Sequence, residues 1–268
     1  MSPGLDFETR IFHKPALAAV LARELSAPGY RCRVLHVGGN TDPYQPAERS
    51  LRSTRALLEL LRERRHPLTI ITKGALILRD LDLYAALAER RLVRVAVSLT
   101  SLTDAIKRTL EPRAASPQAR LRVMQQLTAA GVPVSAMIAP VIPAITDHEI
   151  ERMLEAVAAA GVRRAGFQML RLPFEVAGLF EAWLREHCPD RADKVLNLVR
   201  GMRGGKLNDP RFGHRHRGLG PYAALIGSRF ETACRRLGLN AGEPAELDTT
   251  QFVRDPGAPR QAELFDGA

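Results

Sequence analysis

Short apolar segments recur along the chain and predict β-strands. Five of them stand out, and they span Arg33–Val37, Leu68–Thr72, Val93–Leu99, Val134–Pro140 and Ala165–Leu170. Segments with helical periodicity lie between them, at Ala47–Arg64, Leu81–Arg90, Pro117–Ala130 and Asp147–Ala160. Strands that alternate with helices form a parallel sheet. Because the strands are apolar at nearly every position, we expect a sheet that is covered on both faces.

Residues that begin and end helices support these boundaries. Ser116 can cap a helix that has Pro117 at its first position. Thr146 and Glu149 have the spacing of a capping box. Gly131 and Gly161 follow two of the predicted helices, where a left-handed glycine often ends the helix.

The C-terminal third predicts helices instead of further strands. These helices span Val176–Cys188, Arg191–Met202 and Tyr222–Leu237, and another helix, Phe12–Ser26, precedes the first strand. A closed barrel needs eight strands. The C-terminal third supplies no convincing further strands, so we expect the βα units of residues 1–175 to be followed by a helical extension over residues 176–240. Residues 241–268 are rich in Pro, Gly, Asp and Glu, which predicts a poorly ordered tail.

Polar residues follow successive strands of the predicted sheet. Parallel βα folds bind ligands where the strands end. The candidates there are Asn40, Thr41, Asp42, Lys73, Ser98, Ala139, Leu170 and Arg171. One carboxylate, one amine and several hydroxyls suit a zwitterionic ligand that carries a ribose. Taken singly, Asp42 is also typical of a turn before Pro43, Lys73 of a solvated side chain and Ser98 of a core hydroxyl. Their occurrence at successive strand ends favours a binding site.

The chain is strongly basic, with a net charge of +10 over 268 residues. A positive surface attracts nucleic acids and other polyanions, although a coding bias toward arginine explains the total charge equally well. Basic side chains surround Phe212 between Arg203 and Arg217, which makes Arg211 and Arg215 candidate contacts for a substrate or for nucleic acid. The alternative is that this segment caps the barrel or grips a small phosphorylated substrate.

The cysteines are few, and no segment predicts a membrane span. Cys32, Cys188 and Cys234 fit neither a disulfide framework nor a metal-ligand spacing. An iron–sulfur cluster needs three or four thiolates, so we expect no metal site in this chain. No apolar stretch approaches the length of a membrane span. The N-terminus lacks the features of a signal peptide, so we expect a cytoplasmic protein without a membrane partner.

Four motifs occur in a characteristic order. They are Asn40-Thr41-Asp42-Pro43, Thr72-Lys73, Ser98, and the run from Leu110 through Glu111-Pro112-Arg113 to Pro117. Together they resemble radical S-adenosylmethionine (radical SAM) proteins, in the group of uncharacterised relatives of spore photoproduct lyase. The resemblance extends from about Leu5 to Leu239. It implies a partial (β/α)6 TIM-like barrel that lacks its first strand and cluster loop and carries a helical C-terminal extension.

The resemblance also implies a role for individual residues. Thr41 and Asp42 would contact the amino group of S-adenosylmethionine (SAM), Lys73 its carboxylate, and Ser98 its ribose or carboxylate. The adenine would lie against Ile138, Ala139 and the backbone near Leu170. Apart from the resemblance, the possible substrate contacts are Asn40, Tyr44, Arg113, Arg171, Arg211 and Arg215. In such enzymes a 4Fe–4S cluster reduces SAM to methionine and a 5′-deoxyadenosyl radical, with a flavodoxin or ferredoxin as the electron donor.

The sequence departs from these proteins at two points. The CxxxCxxC loop that holds the cluster is absent from the sequence. We expect it upstream of an N-terminally truncated chain, so that this chain is inactive and the cluster occurs only in a full-length form. Gly39 stands where spore photoproduct lyase has a hydrogen-donor cysteine, which argues against the same repair chemistry. The alternative function is a cluster-independent α/β protein that binds a nucleotide or nucleic acid without catalysis.

Overall fold

A single parallel sheet organises the protein, whose computed structural model describes residues 11–256. Its strands are β1 (Leu35–Val37), β2 (Leu68–Thr72), β3 (Val93–Leu99), β4 (Val134–Val141) and β5 (Arg164–Met169). They lie in the order β1-β2-β3-β4-β5, and every neighbouring pair is parallel. A sequential, all-parallel order is the order of a βα barrel, whereas doubly wound sheets reverse direction at a switch point. The predicted α/β class and partial TIM-like architecture are therefore confirmed.

Helices connect the strands and form most of the C-terminal region. They are α1 (Leu17–Ser26), α2 (Glu48–Leu51), α3 (Ser53–Glu63), α4 (Leu81–Glu89), α5 (Asp104–Leu110), α6 (Pro117–Ala129), α7 (Ile150–Ala159), α8 (Val176–His187), α9 (Ala192–Met202), α10 (His214–Arg217) and α11 (Gly220–Arg236). Short 3₁₀ helices span Ala75–Asp80, Asp147–Glu149 and Pro189–Arg191. Helices α4 and α6 pack on β3, α6 and α7 on β4, and α11 on β5. In the described residues, no helix is both long and apolar enough to cross a membrane.

The segment predicted as one helix over residues 47–64 forms two helices. Arg52, between α2 and α3, has a left-handed backbone with φ of 50°. The carboxylate of Glu48 accepts a hydrogen bond from the Thr54 backbone N–H at 3.0 Å. An acidic side chain can thus satisfy an unpaired donor in the first turn of α3. The break follows from this contact, which periodicity does not reveal.

The two faces of the sheet differ, contrary to the expectation that both are covered. Side chains such as Ile70, Val95 and Ala136 are buried, whereas the alternating positions, such as Ile71 and Ala96, are half-buried. The buried face packs on helices. We call the opposite face the inner face. Because side chains alternate along a strand, a continuous apolar run does not show that one face remains partly open.

Most of the predicted helix boundaries are confirmed. The Ser116 hydroxyl accepts a hydrogen bond from the Ala119 N–H at 3.2 Å, and Gly131 and Gly161 have positive φ values of 77° and 84°. The capping box at the start of α7 is wrong. The Thr146 hydroxyl instead accepts from the Ile142 N–H at 2.9 Å. The Glu149 carboxylate, which a capping box would use, instead accepts hydrogen bonds from Ser101, Leu102 and Thr103 in the loop after β3.

The prediction of a poorly ordered tail does not describe residues 241–256. The Ala245 carbonyl accepts from the guanidinium of Arg94 at 2.6 Å. Further along, the Val253 N–H donates to the Arg64 carbonyl at 2.9 Å, and the Phe252 ring lies 5.3 Å from that of His66. Composition does not reveal these partners, because they belong to distant parts of the chain. Residues 257–268 of the predicted tail lie outside the described residues.

Candidate functional site

Two glycines bring the loops after β1 and β2 into close contact. Gly38 has a φ of 94°, and a Cβ atom there would lie 2.4 Å from the carbonyl oxygen of Ile71. A Cβ atom on Gly74 would lie 2.8 Å from the Cβ of Tyr44. Both approaches are too close for any side chain, so that only glycine lets the two loops pack in this way. Gly38 of the Gly38-Gly39 pair is thus required for the close packing of the loops after β1 and β2.

Asp42 holds these two loops together with its carboxylate. Its Oδ1 accepts hydrogen bonds from the Tyr44 N–H at 2.9 Å and from the Thr72 hydroxyl at 2.5 Å. Its Oδ2 accepts from the Lys73 N–H at 2.7 Å. The bond to Tyr44, two residues on, is the turn that Asp before Pro favours. A carboxylate accepts about four hydrogen bonds, so one acceptor position is left for a ligand. Asn40 and Thr41 precede it on the exposed part of the loop.

Glu111 is the centre of a partly buried network of charges. It forms ion pairs with the ammonium of Lys73 and, at 2.6 Å, with the guanidinium of Arg120. The hydroxyl of Thr100 donates to it at 3.0 Å. Burial raises the pKa of Glu111, but the charges of Lys73 and Arg120 outweigh it and bring the pKa below its ordinary value. The carboxylate is therefore ionised near neutral pH, and it orients the lysine that was predicted to bind a ligand.

Arg120 links this network to the end of β3. Its side chain is only 2% exposed, and its guanidinium donates to the carbonyls of Ser98 at 3.1 Å and of Ala115 at 2.9 Å. The sequence prediction missed Arg120. A signal was present, because Arg120 lies on the same helical face as Met124 and Leu127, which are buried. A charged residue within an apolar stripe indicates a buried partner.

Three of the predicted cofactor contacts lie on the inner face. Ser98 pairs in register with Met137, and residues in register share a face of a sheet. Ala139 follows Met137 by two positions, at the start of an irregularity in β4, and Lys73 follows Ile71 by two positions, directly after β2. Continued alternation directs both to the same face. The structure therefore brings Lys73, Ser98 and Ala139 to one side of the sheet, at the ends of three adjacent strands.

The side chain of Ile138 is not on this face. It is completely buried and pairs in register with Phe167, whose ring packs 4.7 Å from that of Phe230 in α11. Ile138 was predicted to line the adenine, and this prediction is wrong for its side chain. Because side chains alternate along a strand, adjacent residues such as Ile138 and Ala139 cannot both point to the inner face.

Leu170 and Arg171 follow β5 at the same edge. Leu170 is buried, its N–H donates to the Val141 carbonyl at 3.0 Å, and its carbonyl accepts from Arg203 at 2.9 Å. The backbone at Leu170 is thus already hydrogen-bonded within the protein. Arg171 is exposed.

Tyr44 does not reach the inner face, contrary to its prediction as a substrate contact. Its side chain is 4% exposed, and its hydroxyl donates to Asp80 at 2.9 Å and lies 2.8 Å from the hydroxyl of Tyr84. Asp80 is also held by Arg55 and Arg79. The sequence did not reveal this network, because its members come from three separate segments.

The basic segment near the C-terminus is mostly engaged within the protein. Arg211 forms a bidentate ion pair with Asp209, with N–O distances of 3.0 and 2.7 Å. The guanidinium of Arg215 lies 5.4 Å from the centre of the Phe212 ring. Arg203, which was predicted with this segment, is 2% exposed and cannot contact a macromolecule. Arg113 lies elsewhere, in the exposed turn after Glu111.

The cysteines do not form a ligand set for an iron–sulfur cluster. Cys32 precedes β1, Cys188 follows α8, and Cys234 is buried within α11. Over residues 11–256, no group of three or more His, Cys, Asp or Glu side chains could hold a metal ion. Within the described residues, the three cysteines are thus held in separate parts of the fold.

Comparisons with known proteins find a family and several relatives that this chain resembles. Residues 7–157 match the model of the Radical SAM superfamily. An uncharacterized protein of Mycobacterium tuberculosis (strain ATCC 25618 / H37Rv) is 37% identical over 201 residues, which are 74% of this chain and 59% of that protein. An uncharacterized protein of Methanocaldococcus jannaschii is 29% identical over 115 residues, which are 43% of each chain. The chain thus spans less than two thirds of the length of these relatives.

Solved structures of spore photoproduct lyase share the fold. One mutant of that enzyme superposes with a TM-score of 0.56 at 16% identity, over 82% of this chain and 62% of the enzyme. A mutant with bound AdoMet and dinucleoside spore photoproduct gives a TM-score of 0.54, with the same coverage and identity. At this identity the likeness concerns the fold alone. Since the family match covers more than half of the sequence, the chain belongs to the radical SAM superfamily.

Proposed function

We propose that this chain is the SAM-binding part of a radical SAM enzyme with an unidentified substrate. The observation that carries the proposal is the meeting of Asp42, Lys73 and Ser98 at the ends of adjacent strands, beside the partly open inner face. Ligands of βα barrels bind at these strand ends. When bound together with a reduced cluster, SAM supplies a 5′-deoxyadenosyl radical for hydrogen abstraction.

The residues of the chain would bind and orient SAM. The remaining acceptor position on Asp42 suits its ammonium group, with Thr41 next to it. Lys73 has three N–H donors and gives one of them to Glu111, so that it can hold the SAM carboxylate at the same time. Ser98 would bond to the ribose or carboxylate, and the adenine would lie against Ala139 and the segment near Leu170. Glu111 would act as a positioning residue for Lys73.

The cluster ligands would come from a segment that is not part of this sequence. The scattered positions of Cys32, Cys188 and Cys234 support this proposal. We expect the chain, treated anaerobically with iron and sulfide, to bind no stoichiometric 4Fe–4S cluster. A near-stoichiometric cluster that survives desalting, with its absorbance and EPR signal, would contradict this expectation. In a form that carries CxxxCxxC, a flavodoxin or ferredoxin would be a suitable electron donor.

SAM binding to the chain as it stands tests the site. We expect Asp42→Ala and Lys73→Ala to weaken SAM binding in calorimetry by about tenfold to a hundredfold, because each removes a charge-assisted contact. Lys194→Ala is the matched control, since Lys194 is exposed on α9 and is not among the residues proposed to bind SAM. Asp42 also fixes the loop, so Lys73→Ala is the decisive variant. Unchanged affinity in Lys73→Ala, or an equal loss in the Lys194 variant, would refute the assignment.

A second function, nucleotide or nucleic-acid binding without catalysis, is favoured by one observation. The sequence contains no cluster loop, yet it carries a basic segment beside the strand ends. SAM titration separates the two functions. If the chain binds an oligonucleotide but not SAM, the second function replaces the first.

A further inference from the structure

A cluster of positive side chains lies at the carboxyl end of β5. We call Arg171, Arg203, Arg215, His216 and Arg217 the arginine cluster. The guanidinium of Arg203 joins its parts, since it donates to the carbonyls of Met169 and Leu170 at the end of β5 and to those of His214 and Arg215 in α10. Arg217 lies 4.1 Å from the centre of the Phe167 ring in β5. Helix α10 is thereby fixed against the strand end that Arg171 follows.

His216 presents a buried donor without an acceptor. The Nε of Arg215 donates to the Nε2 of His216 at 2.8 Å. An arginine nitrogen can only donate, so Nε2 carries no proton and the neutral ring has its proton on Nδ1. In the described residues this Nδ1 is buried and has no hydrogen-bond partner. The Nε of Arg203 is likewise buried and without a partner there. A buried N–H group without an acceptor is unfavourable, because it has lost its hydrogen bonds to water.

The positive charges of the cluster are not neutralised by neighbouring carboxylates. Within residues 11–256, no ion pair joins Arg171, Arg215 or Arg217 to an acidic residue. Asp209, the acidic group that acts on Arg203, is itself held by Arg211. Burial lowers the pKa of His216, and the surrounding arginines lower it further. The ring therefore remains neutral near pH 7, with a proton on Nδ1 available for a hydrogen bond.

We infer that the arginine cluster binds a phosphoryl group of a ligand. The missing partner must be an acceptor, and several unneutralised guanidinium groups favour an anion over water. A phosphoryl group carries up to two charges and several acceptor oxygens, and it matches the planar fork of arginine. A carboxylate would neutralise only one of these charges. The exposed side chains of Arg171 and Arg217 would contact the anion, and the buried Arg203 would hold α10 beside it.

The position of the cluster makes a phosphorylated substrate the natural ligand. It lies at the carboxyl edge of the sheet, where Lys73 and Ser98 also lie. This identification as a substrate rests on the proposed function, whereas the anion site itself does not. The phosphoryl group could belong to a small ester or to a nucleic-acid backbone. The exposed ring of Phe212, 88% accessible beside Arg215, could then stack on a base.

Binding of defined anions to the whole chain tests the inference. The probes are inorganic phosphate and a labelled oligothymidylate of about ten nucleotides. The variant is Arg171→Gln/Arg217→Gln. Its control is Arg62→Gln/Arg122→Gln, which removes the same charge from exposed positions on α3 and α6. At a fixed salt concentration of about 150 mM, we expect the first pair of changes to weaken binding about tenfold or more and the control to change it less than about twofold. Phosphate should also shift the Nδ1 resonance of His216.

The outcomes distinguish a small phosphate ester from a nucleic-acid backbone as the ligand. They also distinguish failure of the anion site from failure of the SAM site. Displacement of the oligonucleotide by phosphate supports the site with a small ester as its ligand, whereas tight oligonucleotide binding that phosphate does not displace supports it with a backbone phosphate. If wild-type protein binds neither probe, or if the control loses as much as the variant, the inference is wrong. SAM titration of the wild-type protein separates the two proposals. Wild-type protein that binds phosphate but not SAM would refute the proposed function alone.

Discussion

The charge network of Glu111 allows one prediction to be worked out in detail. Glu111→Gln keeps the shape of the side chain and removes its charge. Arg120, which is 2% exposed, then retains a buried charge without a counterion. Removal of one partner from a buried ion pair lowers the free energy of unfolding by about 3–5 kcal/mol. The glutamine oxygen still accepts one hydrogen bond, so we expect a loss of about 3 kcal/mol.

The Lys73 side of the network should matter much less for stability. The Lys73 side chain is 35% exposed. Because solvent screens its ion pair with Glu111, the pair contributes about 0–1 kcal/mol to the free energy of unfolding. Lys73→Met is therefore the matched comparison: the same network is broken at its exposed end. We expect this change to cost less than about 1 kcal/mol in the free energy of unfolding.

The stability difference should also depend on pH in a defined direction. The pKa of Glu111 lies below its ordinary value in the folded protein, and that of an unfolded glutamate is about 4.3. The contribution of the carboxylate is therefore fully present above about pH 4.3 and is lost as the pH falls through the lowered, folded-state pKa. Wild type and Glu111→Gln should differ most near neutral pH and converge in acid.

Urea denaturation followed by circular dichroism measures these differences. Titrations near neutral pH and at several pH values below about 4 give the free energy of unfolding for wild type and both variants. The reasoning would be refuted if Glu111→Gln cost less than about 1 kcal/mol near neutral pH, or if Lys73→Met cost as much as Glu111→Gln. A constant difference between wild type and Glu111→Gln across the pH range would show that the charge is not responsible.

Two further predictions concern the loops that form the candidate site. Tyr44→Phe should lower the free energy of unfolding by about 1–3 kcal/mol, because Asp80 and Tyr84 lose a buried partner. It should leave SAM affinity in calorimetry unchanged, and weaker binding would show that Tyr44 does contact the ligand. Gly38→Ala should lower the denaturation midpoint and weaken SAM binding, because its Cβ would lie 2.4 Å from a backbone oxygen. Gly178→Ala, at a position in α8 with open space around it, is its control and should be neutral or stabilising; a stable Gly38→Ala protein would contradict the predicted contact.

Local signals were sufficient to predict the succession of elements. Strand and helix periodicity depends on which residues lie near one another along the chain, and β2 and β3 have the predicted bounds. The cap at Ser116 and the glycines that end α6 and α7 were predictable for the same reason, since each acts on its own turn of backbone. The all-parallel sheet followed from the alternation of these elements.

The chemistry of the site depends on contacts between residues that are distant from one another in the sequence. Lys73 and Glu111 are separated by 38 positions, and the sequence alone favoured a ligand as the partner of the lysine. Alternation along β4 should have excluded the Ile138 side chain from a site that includes Ala139. The burial of Arg203 has no sequence signal, because it depends on free carbonyls at the end of β5 and in α10.

The sequence by itself therefore determined the element order, the parallel sheet and the set of polar residues at the strand ends, since each of these follows from local periodicity. Tertiary structure alone decided which of those residues remain available to a ligand. It engaged Tyr44 and Arg203 inside the protein, paired Lys73 with Glu111 and left the Nδ1 of His216 without an acceptor. The physical reason is that a polar group is directed by the partners that folding brings within hydrogen-bond distance, and those partners are distant in sequence.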